Sequence, residues 1–99
     1  MTQTQKEAFD FSFSKHEEAL LTKFHTLLEL ERRDEFTSDD FRQYGLHTMW
    51  DEKEWKWRVG SLFAKAVHHQ RIKHTGRWIR SVLPKNNQRK IKVYQWNQP

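Results

Sequence analysis

The chain has 99 residues, no cysteine, 35% apolar residues and a net charge of +5. That length fits one domain with a small core, in which seven Phe, five Trp and two Tyr must supply much of the buried area. The absence of cysteine excludes disulfides, thiol nucleophiles and cysteine-ligated zinc. The N-terminus is polar, with no signal-peptide apolar region, and no apolar run nears the length of a membrane span. The expectation is a soluble cytoplasmic protein, nucleoid-associated if bacterial, with no membrane contact.

Residues 1–13 start polar and then alternate Phe9, Phe11 and Phe13 with Asp10 and Ser12. Period two reads as an extended arm with one apolar edge. Such an arm can cover its own core, pair two copies into a homodimer, or extend the next helix, and the sequence leaves these open.

The first helix is expected over Ser14–Arg33. Ser14 and Glu17 have the S-x-x-E spacing of a capping box, and Leu20, Phe24, Leu27 and Leu28 form an apolar stripe. A second, short helix is expected over Ser38–Tyr44. Thr37 and Asp40 supply its cap, Phe36 and Phe41 sit at hydrophobic-staple positions, and Gly45 suits the left-handed residue that ends it. A loop through Leu46–Trp50 then leads into a third helix over about 51–69, capped by Thr48 with Asp51 or by Asp51 with Glu54. Trp55, Val59, Leu62, Phe63, Ala66 and Val67 form its apolar face. Trp57, Ser61, Ala64 and His68 point the other way, flanked by Arg58 and Lys65.

After Ile72 the period falls to two. His74-Thr75-Gly76 reads as a turn, and Trp78–Leu83 and Ile91–Trp96 read as two strands joined by a basic tip over 84–90. Trp55, Trp78 and Trp96 fall on faces expected to be buried.

Charge is split along the chain. Residues 1–54 hold thirteen acidic and seven basic side chains, whereas 55–99 hold eleven basic and no acidic ones. A one-signed surface repels itself, so it usually faces a partner of opposite sign. Four of the five Trp lie in the basic half, and cations interleaved with aromatics point to nucleic acid.

Three helices followed by a basic hairpin resemble a winged helix-turn-helix, like small phage, plasmid and bacterial members of that class. The resemblance rests on Glu35 through Arg42, on Trp57 through Phe63, and on Arg77–Val82 with Ile91–Trp96, and it covers residues 14–96. It implies an α+β fold: a three-helix domain over 14–99 with a C-terminal two-stranded hairpin wing, preceded by the arm 1–13. It also implies non-enzymatic binding of double-stranded DNA, with the third helix in the major groove and the wing on the backbone or minor groove.

The candidate contacts are Trp57, Arg58, Ser61 and Lys65 on the helix, Arg77 and Arg80 on the first wing strand, and Lys85, Arg89 and Lys90 at the tip. Helix residues would read bases and wing cations would hold phosphates. For Trp57, packing against the wing or the arm competes with contact. Asp51, Glu52 and Glu54 suit the helix dipole but would repel phosphates, so contact is expected to begin near Trp57. The alternatives are a protein-interaction scaffold of the same shape and an RNA or single-strand binder that stacks bases on exposed aromatics.

No catalytic set, metal site or cofactor is expected. His68, His69 and His74 do not converge on a helix geometry with a carboxylate. Glu54-Trp55-Lys56 has nuclease-like E-x-K spacing but falls on a helix, and no glycine-rich phosphate loop exists.

Overall fold

The computed structural model describes residues 12–82 and 89–97. Phe9 and Phe11 of the arm, and Lys85 with most of the hairpin tip, lie outside them. The element order is α1 (Lys15–Leu30), β1 (Glu35–Phe36), α2 (Ser38–Gln43), a 3-10 turn (Leu46–Met49), α3 (Trp55–His68), β2 (Ile72–Arg80) and β3 (Lys90–Trp96). Among the described residues the fold is α+β: three α-helices against a three-stranded antiparallel sheet in the order β1-β3-β2. The sheet therefore has one strand more than the expected hairpin.

Both expected capping boxes form. The Glu17 amide donates to the Ser14 hydroxyl at 3.1 Å while the Ser14 amide donates to the Glu17 carboxylate at 2.9 Å. In the second box the Thr37 amide donates to Asp40 at 2.8 Å, and Arg33 grips the same carboxylate with two nitrogens, at 2.6 and 3.1 Å. That contact holds the Arg33 guanidinium above its ordinary pKa. Gly45 takes the left-handed conformation at φ 78°.

Helix α1 ends earlier than expected, at Leu30. The chain reverses there because Arg32 adopts φ 57°, so that the Arg32 amide reaches the Glu29 carbonyl and the Arg33 amide the Leu28 carbonyl. This is a Schellman ending with arginine at a position that favours glycine. Helix α3 ends the same way, with Gln70 at φ 60° and the Arg71 amide on the Ala66 carbonyl at 2.8 Å.

Helix α3 also starts later than expected. Asp51–Glu54 form a preliminary turn closed by the Trp55 amide on the Asp51 carbonyl, and neither anticipated side-chain cap is made. Glu54 instead spends its carboxylate on Arg58.

The core lies between the helices and the inner end of the sheet. Phe24 sits at its centre, with the rings of Phe36 and Phe41 edge-on at 5.1 and 5.2 Å and Phe63 at 6.1 Å. Edge-to-face packing sets the positive rim of one ring against the negative face of another. Leu20, Leu21, Leu28, Val59, Leu62 and Ala66 fill the space around the rings, and Trp55 and Trp96 close it. Phe13 packs on this core beside His69, at 5.0 Å between rings.

Strand β1 exists because Phe36 must enter the core; its two residues then align with Tyr94 and Gln95 of β3. Strand β2 runs straight through the expected His74-Thr75-Gly76 turn. The irregularity is a bulge between His74 and Trp78, with Gly76 at φ 92°. The Thr75 hydroxyl donates to the Val93 carbonyl at 3.1 Å and accepts from the Arg77 amide at 3.2 Å, which steadies the bulge. Beyond it the hairpin leaves the core behind. Trp78, expected to be buried, is accordingly 52% exposed.

Candidate nucleic-acid interface

The base of the hairpin is fastened to the start of α2. Asp39, buried in the first turn of α2, accepts from the Ser81 hydroxyl at 2.8 Å and from the Val82 amide at 2.8 Å. The Ser81 amide in turn donates to the Arg89 carbonyl at 2.7 Å, closing the stem. This latch sets the hairpin beside α3 and leaves a cleft of about 320 Å³ between them.

Arg42 of α2, Lys56 of α3, and Arg89 and Lys92 of the hairpin all line the cleft. Val59, Phe63, Ile91 and Tyr94 also line it, and among the described residues no carboxylate does. Arg42 lies over the Trp55 ring at 4.2 Å. Burial lowers its pKa, with Asp39 opposing. Gly60 adds no side chain to the wall, and a Cβ built there would meet nothing within 4 Å.

The hairpin extends the same charge outward. Trp78 pairs in register with Lys92, and Arg80 with Lys90. Directly opposed residues of an antiparallel pair share a face, so Trp78, Arg80, Lys90 and Lys92 stand together. The Lys92 ammonium lies 5.7 Å from the Trp78 ring centroid. Like charges set directly opposite destabilise a hairpin, and Arg80 opposite Lys90 is such a pair.

The structure sorts the described basic residues after position 54 into two sets. Arg58, Lys65, Arg71 and Arg77 are tied to Glu54, Glu17, Glu18 and Glu35 respectively. Lys56, Lys73, Arg80, Arg89, Lys90 and Lys92 form no ion pair among the described residues. Of these six, all but Lys73 lie in the cleft or on the charged face of the hairpin.

The expected contact residues therefore separate. Trp57 points outward and is 58% exposed. Arg58 stacks on it at 4.7 Å, and Ser61 is half-exposed one turn further on. Arg80, Arg89 and Lys90 share the cationic surface. Lys65 does not belong with them. Its ammonium turns back to α1 and meets both Glu17 oxygens, at 2.9 and 3.0 Å, with only 13% of the side chain exposed. Burial pushes the Glu17 carboxyl up, but the Ser14 amide and the Lys65 ammonium more than reverse this and hold it below the usual carboxylate value. Arg77 is likewise turned to Glu35 of β1.

Three contributors escaped the sequence reading. Lys92 follows the alternation of Lys90 and was legible in it. Lys56 precedes Trp57, but only the position of the hairpin makes its side of α3 a wall. Arg42 carried no signal, since it reaches the cleft from another helix. Among the described residues no three His, Asp or Glu side chains gather as a metal site, and no helix is long and apolar enough to cross a membrane. No family model, curated protein or solved structure matches the chain.

Proposed function

We propose that this protein is a non-enzymatic binder of double-stranded DNA, built as a small winged helix. Helix α3 enters the major groove by its Trp57–Ser61 face, and the β2–β3 hairpin acts as the wing, with its cations on phosphates. The observation that carries this reading is the cleft and hairpin face. Among the described residues, Lys56, Arg80, Arg89, Lys90 and Lys92 lie there without an ion pair, and no carboxylate lines the cleft. Like charges held side by side at a cost in stability are accounted for by a polyanion that neutralises them. The order of elements is compatible with a winged helix.

Fluorescence anisotropy of a mixed-sequence labelled duplex across a salt series tests this. Neutralising about five phosphates gives a slope of log K on log salt of about −4 to −5. No duplex binding at low salt would overturn the reading.

A second reading rests on the two exposed indoles, Trp57 and Trp78. Aromatic platforms beside cations suit unpaired bases, each stack contributing about 1–3 kcal/mol. A single strand of equal length in the same titration separates the two, because a single-strand binder prefers it and depends on the indoles.

A further inference from the structure

Arg58 is held on two sides, by a carboxylate and by a ring. Its Nε donates to Glu54 Oε1 at 2.8 Å, and its guanidinium carbon lies 4.7 Å from the centroid of the exposed Trp57 ring. The hydrogen bond fixes the group in its plane, and the ring limits its tilt. With Nε engaged, Nη1 and Nη2 make no hydrogen bond among the described residues, and they form an end-on fork of two donors.

Such a fork needs two acceptors side by side. A phosphate offers them, but the Glu54 carboxylate beside the guanidinium repels a phosphate and cancels much of the arginine's charge. In the major groove guanine alone presents two adjacent acceptors, O6 and N7, whereas adenine sets a donor beside its N7. A base edge carries no net charge, so the carboxylate does not oppose it.

We propose that Arg58 reads one guanine in the major groove, with Glu54 as its positioning residue and Trp57 as the surface that backs it. The proposal rests on the duplex-binding reading above. It adds a specificity determinant, and it gives the carboxylate at the start of α3 a role besides that of repelling phosphate.

The test is selection of the full chain on a pool of randomised duplexes, followed by anisotropy on a recovered duplex and on copies altered at the shared guanine. One copy carries 7-deazaguanine, which lacks the N7 acceptor and still pairs with cytosine; the other carries adenine. The expected result is a shared guanine whose replacement weakens wild-type binding by about ten- to a hundredfold. Arg58→Ala should bind the original and altered duplexes equally, and Arg58→Lys should discriminate less than the wild type, since lysine keeps the charge and loses the planar fork. Glu54→Ala, which removes the acceptor of the Arg58 Nε–H, should reduce the discrimination. Lys92→Ala should weaken all the duplexes by the same factor.

A recovered pool with no common guanine would overturn the assignment while duplex binding stands. So would discrimination that survives in Arg58→Ala. Full discrimination in Glu54→Ala would overturn the positioning role. Failure of the wild-type chain to bind any duplex at low salt would overturn both this proposal and the function it rests on.

Discussion

Asp39 and Ser81 lie 42 positions apart, yet the serine hydroxyl reaches both carboxylate oxygens, at 3.0 and 2.8 Å, in a buried contact. The Val82 amide completes the latch. A hairpin that overhangs the core has little apolar packing to orient it, so this polar contact at its base takes that role.

Asp39→Ala leaves a buried hydroxyl and a backbone N–H without their acceptor. The expected loss is about 2–3 kcal/mol, with hydrogen exchange accelerating at Ser81 and Val82 before it does in α1. Uniform acceleration throughout the chain would mean that the latch serves global stability and has no particular hold on the hairpin.

Lys65 and Lys92 are both lysines of the basic half, and the structure gives them opposite roles. Lys65→Ala strands the largely buried Glu17 carboxylate and should cost about 2–3 kcal/mol in urea unfolding, with the salt slope of duplex binding unchanged. Lys92→Ala should leave stability within about 0.5 kcal/mol and lower the slope by about one unit. A reversed pattern would place Lys65 at the interface.

The same pair sets a pH dependence. The Glu17 carboxyl is depressed in the folded chain from its ordinary value of 4.5. Its stabilisation is therefore fully present above that value and is lost as pH falls through the lower folded value. Stability measured by urea unfolding from pH 6 down to about pH 3 should fall in the wild type and fall less steeply in Glu17→Gln. Parallel curves would show that other carboxylates control the acid limb.

Gln70 holds a left-handed conformation, φ 60°, at the end of α3. An L-residue pays about 1–2 kcal/mol there, partly offset in a glycine variant by the greater entropy of its unfolded chain. Gln70→Gly should stabilise by about 0.5–1 kcal/mol and raise the thermal midpoint. Gly45→Ala, at φ 78°, should destabilise by about 1 kcal/mol for the converse reason.

Neutralising the hairpin face tests the function directly. Arg80→Ala with Lys90→Ala should reduce the salt slope by about two units and relieve the repulsion between the opposed cations, raising stability slightly. Loss of stability together with unchanged duplex binding would contradict the proposed role.

What the sequence determined by itself was local. Ser14 with Glu17 and Thr37 with Asp40 form their capping boxes because each needs only partners three positions apart. Gly45 turns left-handed because its neighbours end a helix there. The apolar faces of α1 and α3 follow from helical period, save that Val67 at the end of α3 lies exposed, and much of β3 follows from the alternation of lysines with branched and aromatic residues. The tertiary structure decided everything that joins distant segments. Strand β1 has two residues and no periodicity; it forms because Phe36 enters the core and brings Glu35 alongside β3. Trp78 has the alternation of a buried position, but alternation assigns a face without supplying a layer to cover it, and the hairpin has passed beyond the core by then. The charge split was plain in the composition, yet which cations stay unpaired was not. Lys65 finds Glu17 across 48 positions, whereas Lys56 and Lys92 find each other's vicinity only when the Asp39 latch brings the hairpin beside α3. Pairing energies between side chains depend on distance in space, and distance along the chain does not report it.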